Sequence, residues 1–324
     1  MNKPLLSIFI PTYNRLKYVS HQLEFLFDEC KEYNNIEIVV RDNNSNDGTI
    51  EYLKKQTWLN KVIYNDYNMG PTQTIFSCEE FCSGKYLWMV SDDDVLEKGI
   101  VSRVVNILEQ EKNLTYLYLN YSPMLGVSPE EGYGEAALHI TPGRHDNAFL
   151  SMENDFKKTT YCLLLMTGSI YRMDWYVVAQ NTIPCPTLES YSINYFTSLT
   201  CLKNGPSYFE EKVWIHTFPK NISWANEGYL VRLGILRSFD KLREVGYSSK
   251  EVKKIYRNLY DTAEQQSWIS VLFDYKKKTG DFSFVYKDWK DAFRRAPIIT
   301  LKSTIRIICS KIPGKLFKKN NPKQ

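Results

Sequence analysis

The sequence predicts an α/β protein built around a parallel sheet, on three observations. Short apolar runs rich in β-formers recur through the first 90 positions, a polar loop or turn follows each, and segments with helical spacing separate them. That alternation is the pattern of right-handed strand–helix–strand crossovers.

The elements follow in order. Leu5 to Ile10 reads as a buried first strand, stopped by the turn Pro11-Thr12-Tyr13-Asn14. From Tyr18 to Cys30 the apolar positions Val19, Leu23, Leu26 and Phe27 fall on one helical face. Ile36 to Val40 is a second strand, closed by the polar run from Arg41 to Gly48, and a helix restarts over Thr49 to Lys55. Val62 to Tyr64 is a third strand, followed by the loop Asn65 to Gly70 and a helical stretch over 71–82. Tyr86 to Val90 is a fourth strand, ended by Ser91-Asp92-Asp93-Asp94. Beyond these, Tyr116 to Tyr121 reads as a strand and 122–148 as a long excursion rich in Gly, Pro and Glu. Tyr161 to Tyr171 is apolar again around Gly168, and two helical stretches, Tyr229 to Val245 and Lys250 to Phe273, follow. The expected organisation is an α/β domain over 1–225, a helical region over 226–297 and a basic amphipathic tail over 298–324.

Composition narrows the function. The 324 residues are 43% hydrophobic and 24% charged, as in a folded globular chain. The net charge of +4 divides unevenly: nine basic and no acidic side chains lie between Ala292 and Gln324, leaving the preceding residues at −5. A basic nucleic-acid binder spreads its positive charge over the fold, so nucleic acid is not an expected partner. Seven scattered cysteines, an odd number with no second pair beside Cys78 and Cys82, fit reduced thiols rather than a zinc site. No N-terminal signal peptide is visible, and no run of 18 apolar residues could span a bilayer.

In open parallel sheets, ligands bind outside the carboxyl ends of the strands. Four loops should therefore meet at one crevice: Pro11 to Arg15, Asp42 to Gly48, Asn68 to Gly70, and Ser91 to Asp94. Three successive carboxylates at the end of an apolar strand need a cation or basic groups to neutralise them. Hard oxygen ligands of this kind suit Mg²⁺ or Mn²⁺, with substrate phosphates completing the coordination. The alternative is a solvated acidic turn capping a helix that starts at Val95.

The chain resembles family 2 glycosyltransferases of the GT-A fold. The matching pieces are Ser7 to Arg15, Ile38 to Thr49, Asn68-Met69-Gly70 and Ser91 to Leu96, and they cover roughly the first 110 residues. Within the family the likeness is to enzymes of bacterial O-antigen and surface-polysaccharide assembly, such as abequosyltransferase-like proteins. The resemblance implies that Pro11, Tyr13 and Arg15 line the nucleotide pocket, that Asp42 bonds the base, and that Asp47 lies beside the nucleotide. Asp93 and Asp94 are the implied metal ligands, and Asp92 contacts the ribose or the metal. The commoner family form has Asp where Ser91 stands.

A Glu-Asp pair usually supplies the family's general base. The corresponding stretch here is Thr187 to Ser192, with Ser190 in place of the Asp, so Glu189 is the candidate base and Asp174 a weaker substitute. The segment Gly168 to Arg172 resembles the acceptor region, or is a core strand. His216 sits where relatives carry a late His that reaches metal or phosphates.

In the tail, Ile298, Leu301, Ile305, Ile308, Ile312 and Phe317 interleave with Lys302, Arg306, Lys311, Lys315 and Lys318. An apolar face with basic rims reads as an interfacial helix on an anionic leaflet. The expected protein is a peripheral enzyme at the inner face of the cell membrane. It uses Mn²⁺ or Mg²⁺ and moves a sugar from a nucleotide-sugar donor to a lipid-linked saccharide. The rivals are a degenerate sugar- or membrane-binding module and a nucleotidyltransferase. The latter normally opens with a Gly-rich basic loop, where this chain has Pro-Thr-Tyr-Asn-Arg.

Overall fold

The computed structural model describes residues 3–76, 78–126, 131–152, 162–218, 228–260, 276–277, 279–295, 297–298, 300–302 and 304–305. The chain forms two compact units, residues 1–252 and 253–324.

The first unit is organised by one mixed sheet. Strands β1 (Leu6–Thr12), β2 (Ile36–Asp42), β3 (Lys61–Tyr64) and β4 (Tyr86–Met89) run parallel in the order β3-β2-β1-β4. The first strand is covered on both faces, which is why it reads as a continuous apolar run. Leu6, Ile8 and Ile10 join Val19, Leu23 and Leu26 of helix α1 (Leu16–Cys30) in one buried cluster. Phe9, between them in the strand, is equally buried on the opposite face. Each such side chain contributes about 1.5–3 kcal/mol on burial.

Beyond β4 the sheet changes direction. The strand Ser169–Arg172 pairs antiparallel with β4, and Tyr116–Pro123 pairs antiparallel with it in turn. Ser207–Thr217 then runs parallel to Tyr116–Pro123 and receives two short antiparallel strands, Val95–Leu96 and Gly143–His145. This reversal positions the site. An antiparallel neighbour starts where β4 ends, so Thr167, just before Ser169, lies against Ser91.

Several expectations are corrected. The helix expected over 71–82 breaks: Gly70–Ile75 is helical, Phe76 is extended, and Cys78–Glu80 is a separate 3₁₀ turn. The buried Arg41 guanidinium takes the carbonyls of Thr74 (3.0 Å) and Phe76 (3.3 Å), which a continuing helix would need. The aspartate triplet caps no helix. It leads into the strand Val95–Leu96, while the helix Ile100–Gln110 has its first amides, at Gly99 and Val101, bonded by Glu29. The apolar stretch before Tyr171 is extended only over Ser169–Arg172, and Tyr161 lies outside the described residues.

The compact unit also runs beyond 225. Helix Gly228–Ser238 packs on the 3₁₀ turn Glu189–Ser192, with Leu233 and Ile235 buried. The helix after Lys250 is described as Ser249–Tyr260, and 261–275 lie outside the described residues. The six described cysteines are free thiols. In the second unit, helix Phe282–Arg295 carries Trp289, whose Nε1 donates to Thr304 Oγ1 at 3.1 Å. Residues 306–324 of the expected tail lie outside the described residues.

Candidate active site

The parallel strands end together. The Asn43 amide donates to the Thr12 carbonyl (2.9 Å), the Asn65 amide to Asp42 (2.9 Å) and the Val90 amide to Phe9 (2.9 Å). The four polar loops expected at one crevice therefore continue directly from neighbouring strands.

Its acidic side is tightly bonded. Arg15 Nη1 donates to Asp92 Oδ1 at 3.1 Å and to Asp93 Oδ2 at 2.5 Å. Thr12 Oγ1 donates to Asp92 Oδ2 at 2.8 Å, and Ser91 Oγ donates to Asp93 Oδ1. Asp94 points away from that pair: Thr167 Oγ1 donates to its Oδ2 at 2.5 Å while accepting the Ser91 amide at 3.0 Å. Burial pushes the Asp94 carboxyl up to about 7, the Thr167 hydrogen bond opposing and Asp93 and Asp92 adding to the rise. Burial likewise raises Asp92 to about 6, against the pull of Arg15. The three aspartates thus occupy three environments, and Asp93, at 15% side-chain exposure against 6% for Asp92, is the most accessible of that salt-bridged pair.

The opposite wall is made of amides. Asn43 Oδ1 accepts from Asn65 Nδ2 (2.9 Å) and from the Met69 amide (3.0 Å), and its Nδ2 donates to Asn68 Oδ1 (2.7 Å). Arg41 Nε donates to Asn65 Oδ1 at 2.9 Å, so one network fixes the loop Asn65 to Gly70. Asp42 is fully buried: the Ser45 amide donates to its Oδ2 at 2.9 Å, whereas its buried Oδ1 has no partner among the described residues. Tyr13 stands at the rim, 40% exposed, and Pro11 is half-buried.

Asp47 has a local task. It accepts the Leu16 amide (2.9 Å), the Thr49 amide (3.1 Å) and the Thr49 hydroxyl (2.6 Å), tying together the starts of two helices. Burial raises its carboxyl, but these hydrogen bonds outweigh it and hold Asp47 below its ordinary value. Asn14 completes the corner with a left-handed backbone (φ 51°), its amide donating to Ser45 Oγ and its Oδ1 accepting the Asn46 amide, both at 2.8 Å.

Glu189 opens the 3₁₀ turn Glu189–Ser192 and is half-buried, its carboxylate unbonded among the described residues. Ser190 is structural, its hydroxyl donating to the Thr187 carbonyl at 2.7 Å. Gly234 presses on this turn: a Cβ there would lie 2.6 Å from the Leu188 carbonyl oxygen and 3.1 Å from the Ser192 amide nitrogen. Asp174 is engaged by Arg172 at 2.7 Å.

His216 is engaged by other side chains in this structure. Its Nδ1 shares a hydrogen bond with Ser122 Oγ (2.9 Å), its Nε2 meets Glu97 Oε1 (3.0 Å), and Tyr133 stacks on the ring at 3.8 Å. Among the described residues no three His, Cys, Asp or Glu side chains gather into a metal site.

Sequence reading missed Thr12, Thr167, Arg41 and Gly234. Thr12 and Arg41 lay inside the quoted motifs without a role, Thr167 adjoined the singled-out Gly168, and nothing local marked Gly234.

With this geometry in hand, the comparisons with known proteins are specific. Residues 7–136 match the model of glycosyl transferase family 2. The abequosyltransferase RfbV of Salmonella typhimurium is 32% identical over 116 residues, 34% of each chain. The GalNAc(5)-diNAcBac-PP-undecaprenol beta-1,3-glucosyltransferase of Campylobacter jejuni is 28% identical over 106 residues, 32% of this chain and 34% of that one. The alignments thus span about a third of the length of these relatives. Among solved structures, S. aureus TarS 1–349 in complex with UDP superposes with a TM-score of 0.60 at 17% identity, covering 85% of this chain and 80% of that one. The Pyrobaculum calidifontis mannosyltransferase PcManGT, in complex with GDP-Man and Mn²⁺, gives 0.53 at 10% identity, covering 96% and 89%. Residues 7–136 are therefore similar to glycosyl transferase family 2, and the fold is that of the GT-A glycosyltransferase structures.

Proposed function

We propose that the protein is a metal-dependent glycosyltransferase of bacterial surface-polysaccharide synthesis. It moves a sugar from a nucleotide-sugar donor to a lipid-linked saccharide. The observation that carries the reading is Asp42: a buried carboxylate whose Oδ1 has no partner among the described residues, one strand from Thr12 and Asp92. An unpaired buried acceptor is costly, and the polar N–H edge of a nucleobase satisfies it. Tyr13 at the rim supplies an exposed ring for the base to stack on.

The donor set fits a divalent cation that binds through one or two carboxylates and relies on substrate phosphates for the rest. Asp93, with Asp92 beside it, holds that position. Asp94 is bonded by Thr167, and His216 by Ser122 and Glu97. When bound, the cation supplies charge stabilisation at the leaving diphosphate.

Glu189 is the general base that takes the acceptor hydroxyl proton, which suits an inverting displacement. Its half-exposed, unbonded carboxylate is ready to accept a proton, and the Gly234 contact fixes the backbone on which it stands. The lipid-linked acceptor is supported by the undecaprenol-linked substrate that the Campylobacter relative is named for, and the cation by the Mn²⁺ complex of PcManGT.

Attachment to the inner face of the membrane rests on the second unit. There Phe282, Tyr286, Ile298, Leu301 and Ile305 are exposed at 45–68% beside Lys287, Lys290, Arg294 and Lys302. Among the described residues no helix is long and apolar enough to cross a membrane. The domain plan, 1–225 for catalysis with 226–297 and 298–324 for attachment, belongs to the same proposal, with Gly228–Ser238 serving the catalytic side.

The test is a thermal-shift panel of nucleotide sugars with Mn²⁺, followed by transfer of the stabilising donor to lipid-linked saccharides. One donor should stabilise the protein and be transferred, and Asp93→Ala should abolish transfer. Donor binding without transfer to any acceptor would instead favour a binding module. Truncation at Ala296 should release the protein from anionic vesicles.

A further inference from the structure

Arg15 is half-buried and bonded to both Asp92 and Asp93, so one guanidinium offsets part of the charge of the two carboxylates that suit a cation. Its backbone is fixed. Leu16 is tied to Asp47, the Arg15 carbonyl accepts the amides of Tyr18 and Val19 at 3.0 Å, and Asn14 is locked to Ser45 and Asn46. Its long side chain, lying over the Tyr18 ring at 5.5 Å, is the part that can move. Two residues past β4 this chain carries Ser91, whose hydroxyl donates to Asp93 instead of adding a carboxylate. The pair thus keeps a net charge of about −1 beside the single guanidinium, which leaves it attractive to a cation. A divalent cation reaching Asp92 and Asp93 must displace that guanidinium. A diphosphate offers it an equivalent fork of oxygens, because the guanidinium's fixed donors match phosphate and carboxylate alike.

We propose that Arg15 passes from the Asp92–Asp93 pair to the donor diphosphate, so that divalent metal loads on the aspartates together with nucleotide. The inference rests on the nucleotide-sugar reading of the crevice and adds a carrier between its two halves. Arg15 is a substrate-binding residue that also regulates access to the aspartates.

The test is Mn²⁺ titration by electron paramagnetic resonance on wild type, Arg15→Gln and Arg15→Lys, with and without UDP, GDP, CDP or dTDP. In wild type, the accepted nucleoside diphosphate should tighten Mn²⁺ binding by about tenfold or more, within the ~5–150-fold range of coupled sites. Without nucleotide, Arg15→Gln should bind Mn²⁺ about tenfold tighter than wild type, and the coupling should shrink. Arg15→Lys, which keeps the charge but loses the guanidinium's fixed donors, should fall between wild type and Arg15→Gln. In EDTA, the same nucleoside diphosphate should stabilise wild type against heat more than it stabilises Arg15→Gln.

Equal Mn²⁺ affinity of wild type and a natively folded Arg15→Gln would overturn the proposal. If that variant does not fold, wild-type Mn²⁺ affinity that ignores the bound nucleotide would overturn it. Failure of wild type to bind any nucleoside diphosphate, with or without metal, would instead remove the nucleotide-sugar reading on which it rests.

Discussion

The two halves of the candidate site are held in different ways. On the donor side, the four loops bond one another directly: Thr12 to Asp92, the Asn14 backbone amide to Ser45, Asn43 to Asn68, and Arg15 to Asp93. On the acceptor side, Glu189 has no side-chain partner among the described residues, and its turn is placed by the backbone of a helix more than 40 residues further along. The donor half is a network of mostly charge-assisted and amide hydrogen bonds, which resists single losses unevenly. The acceptor half depends on close packing at one glycine. A site divided this way can keep a constant way of holding nucleotide while the acceptor side changes.

Substitutions can break or sharpen the contrast. The largest effect is expected at Glu189. Glu189→Gln should lower kcat by ~10²–10⁴-fold while donor KM holds, because a general base acts in the transition state. Steady-state kinetics with saturating donor decides this, and an unchanged kcat would assign the base elsewhere.

Gly234→Ala comes next. The added methyl would meet the Leu188 carbonyl oxygen at 2.6 Å, a backbone atom that cannot rotate away. Displacing the turn by about 1 Å should reduce kcat by up to ~10²-fold. Binding of the nucleoside diphosphate, measured by calorimetry, should not change. Loss of nucleotide binding as well would show that the two halves are not separable.

Asp42→Asn works on the other side. It should weaken binding of the accepted nucleoside diphosphate about tenfold, since hydrogen bonds to a charged group are worth roughly 1.5–3 kcal/mol, and leave kcat at saturating donor unchanged.

The smallest effect concerns stability. Asp94 titrates near 7 in the fold against an ordinary aspartate value in the unfolded chain. The folded state therefore binds the extra proton between about pH 4 and pH 7, and stability contributed by this group is lost as pH rises through that window. Asp94→Asn keeps the shape without the charge. In metal-free protein near pH 8 it should raise Tm by about 3–8 °C, with the gain vanishing towards pH 4. A Tm that falls at both pH values would mean that Thr167 needs the carboxylate itself.

Much of the donor half was legible because its residues lie in short stretches at strand ends. The apolar runs name the strands, the polar punctuation names the loops, and parallel order brings those loops together. Legibility failed where a partner came from elsewhere in the chain. Nothing near Asp94 indicates that Thr167, 73 residues later, takes its carboxylate, because that contact exists only through the antiparallel strand inserted beside β4. The helix expected over 71–82 failed for a similar reason. Local spacing favoured it, but Arg41 claims the carbonyls that would have continued it. His216 shows the same limit, since register on Ser207–Thr217 hands its nitrogens to Ser122 and Glu97.

By itself, then, the sequence determined the parallel α/β core, the likeness of residues 7–136 to glycosyl transferase family 2 and the acidic loops at the strand ends. These depend on periodicity and on residues close together in the chain. Tertiary structure decided that Asp92 and Asp94 are buried, that Asp92 and Asp93 share Arg15, that His216 is bonded to Ser122 and Glu97, and that Gly234 packs against the Glu189 turn. Each depends on which distant segment arrives alongside, and burial and hydrogen bonding, unlike local propensity, are properties of that meeting.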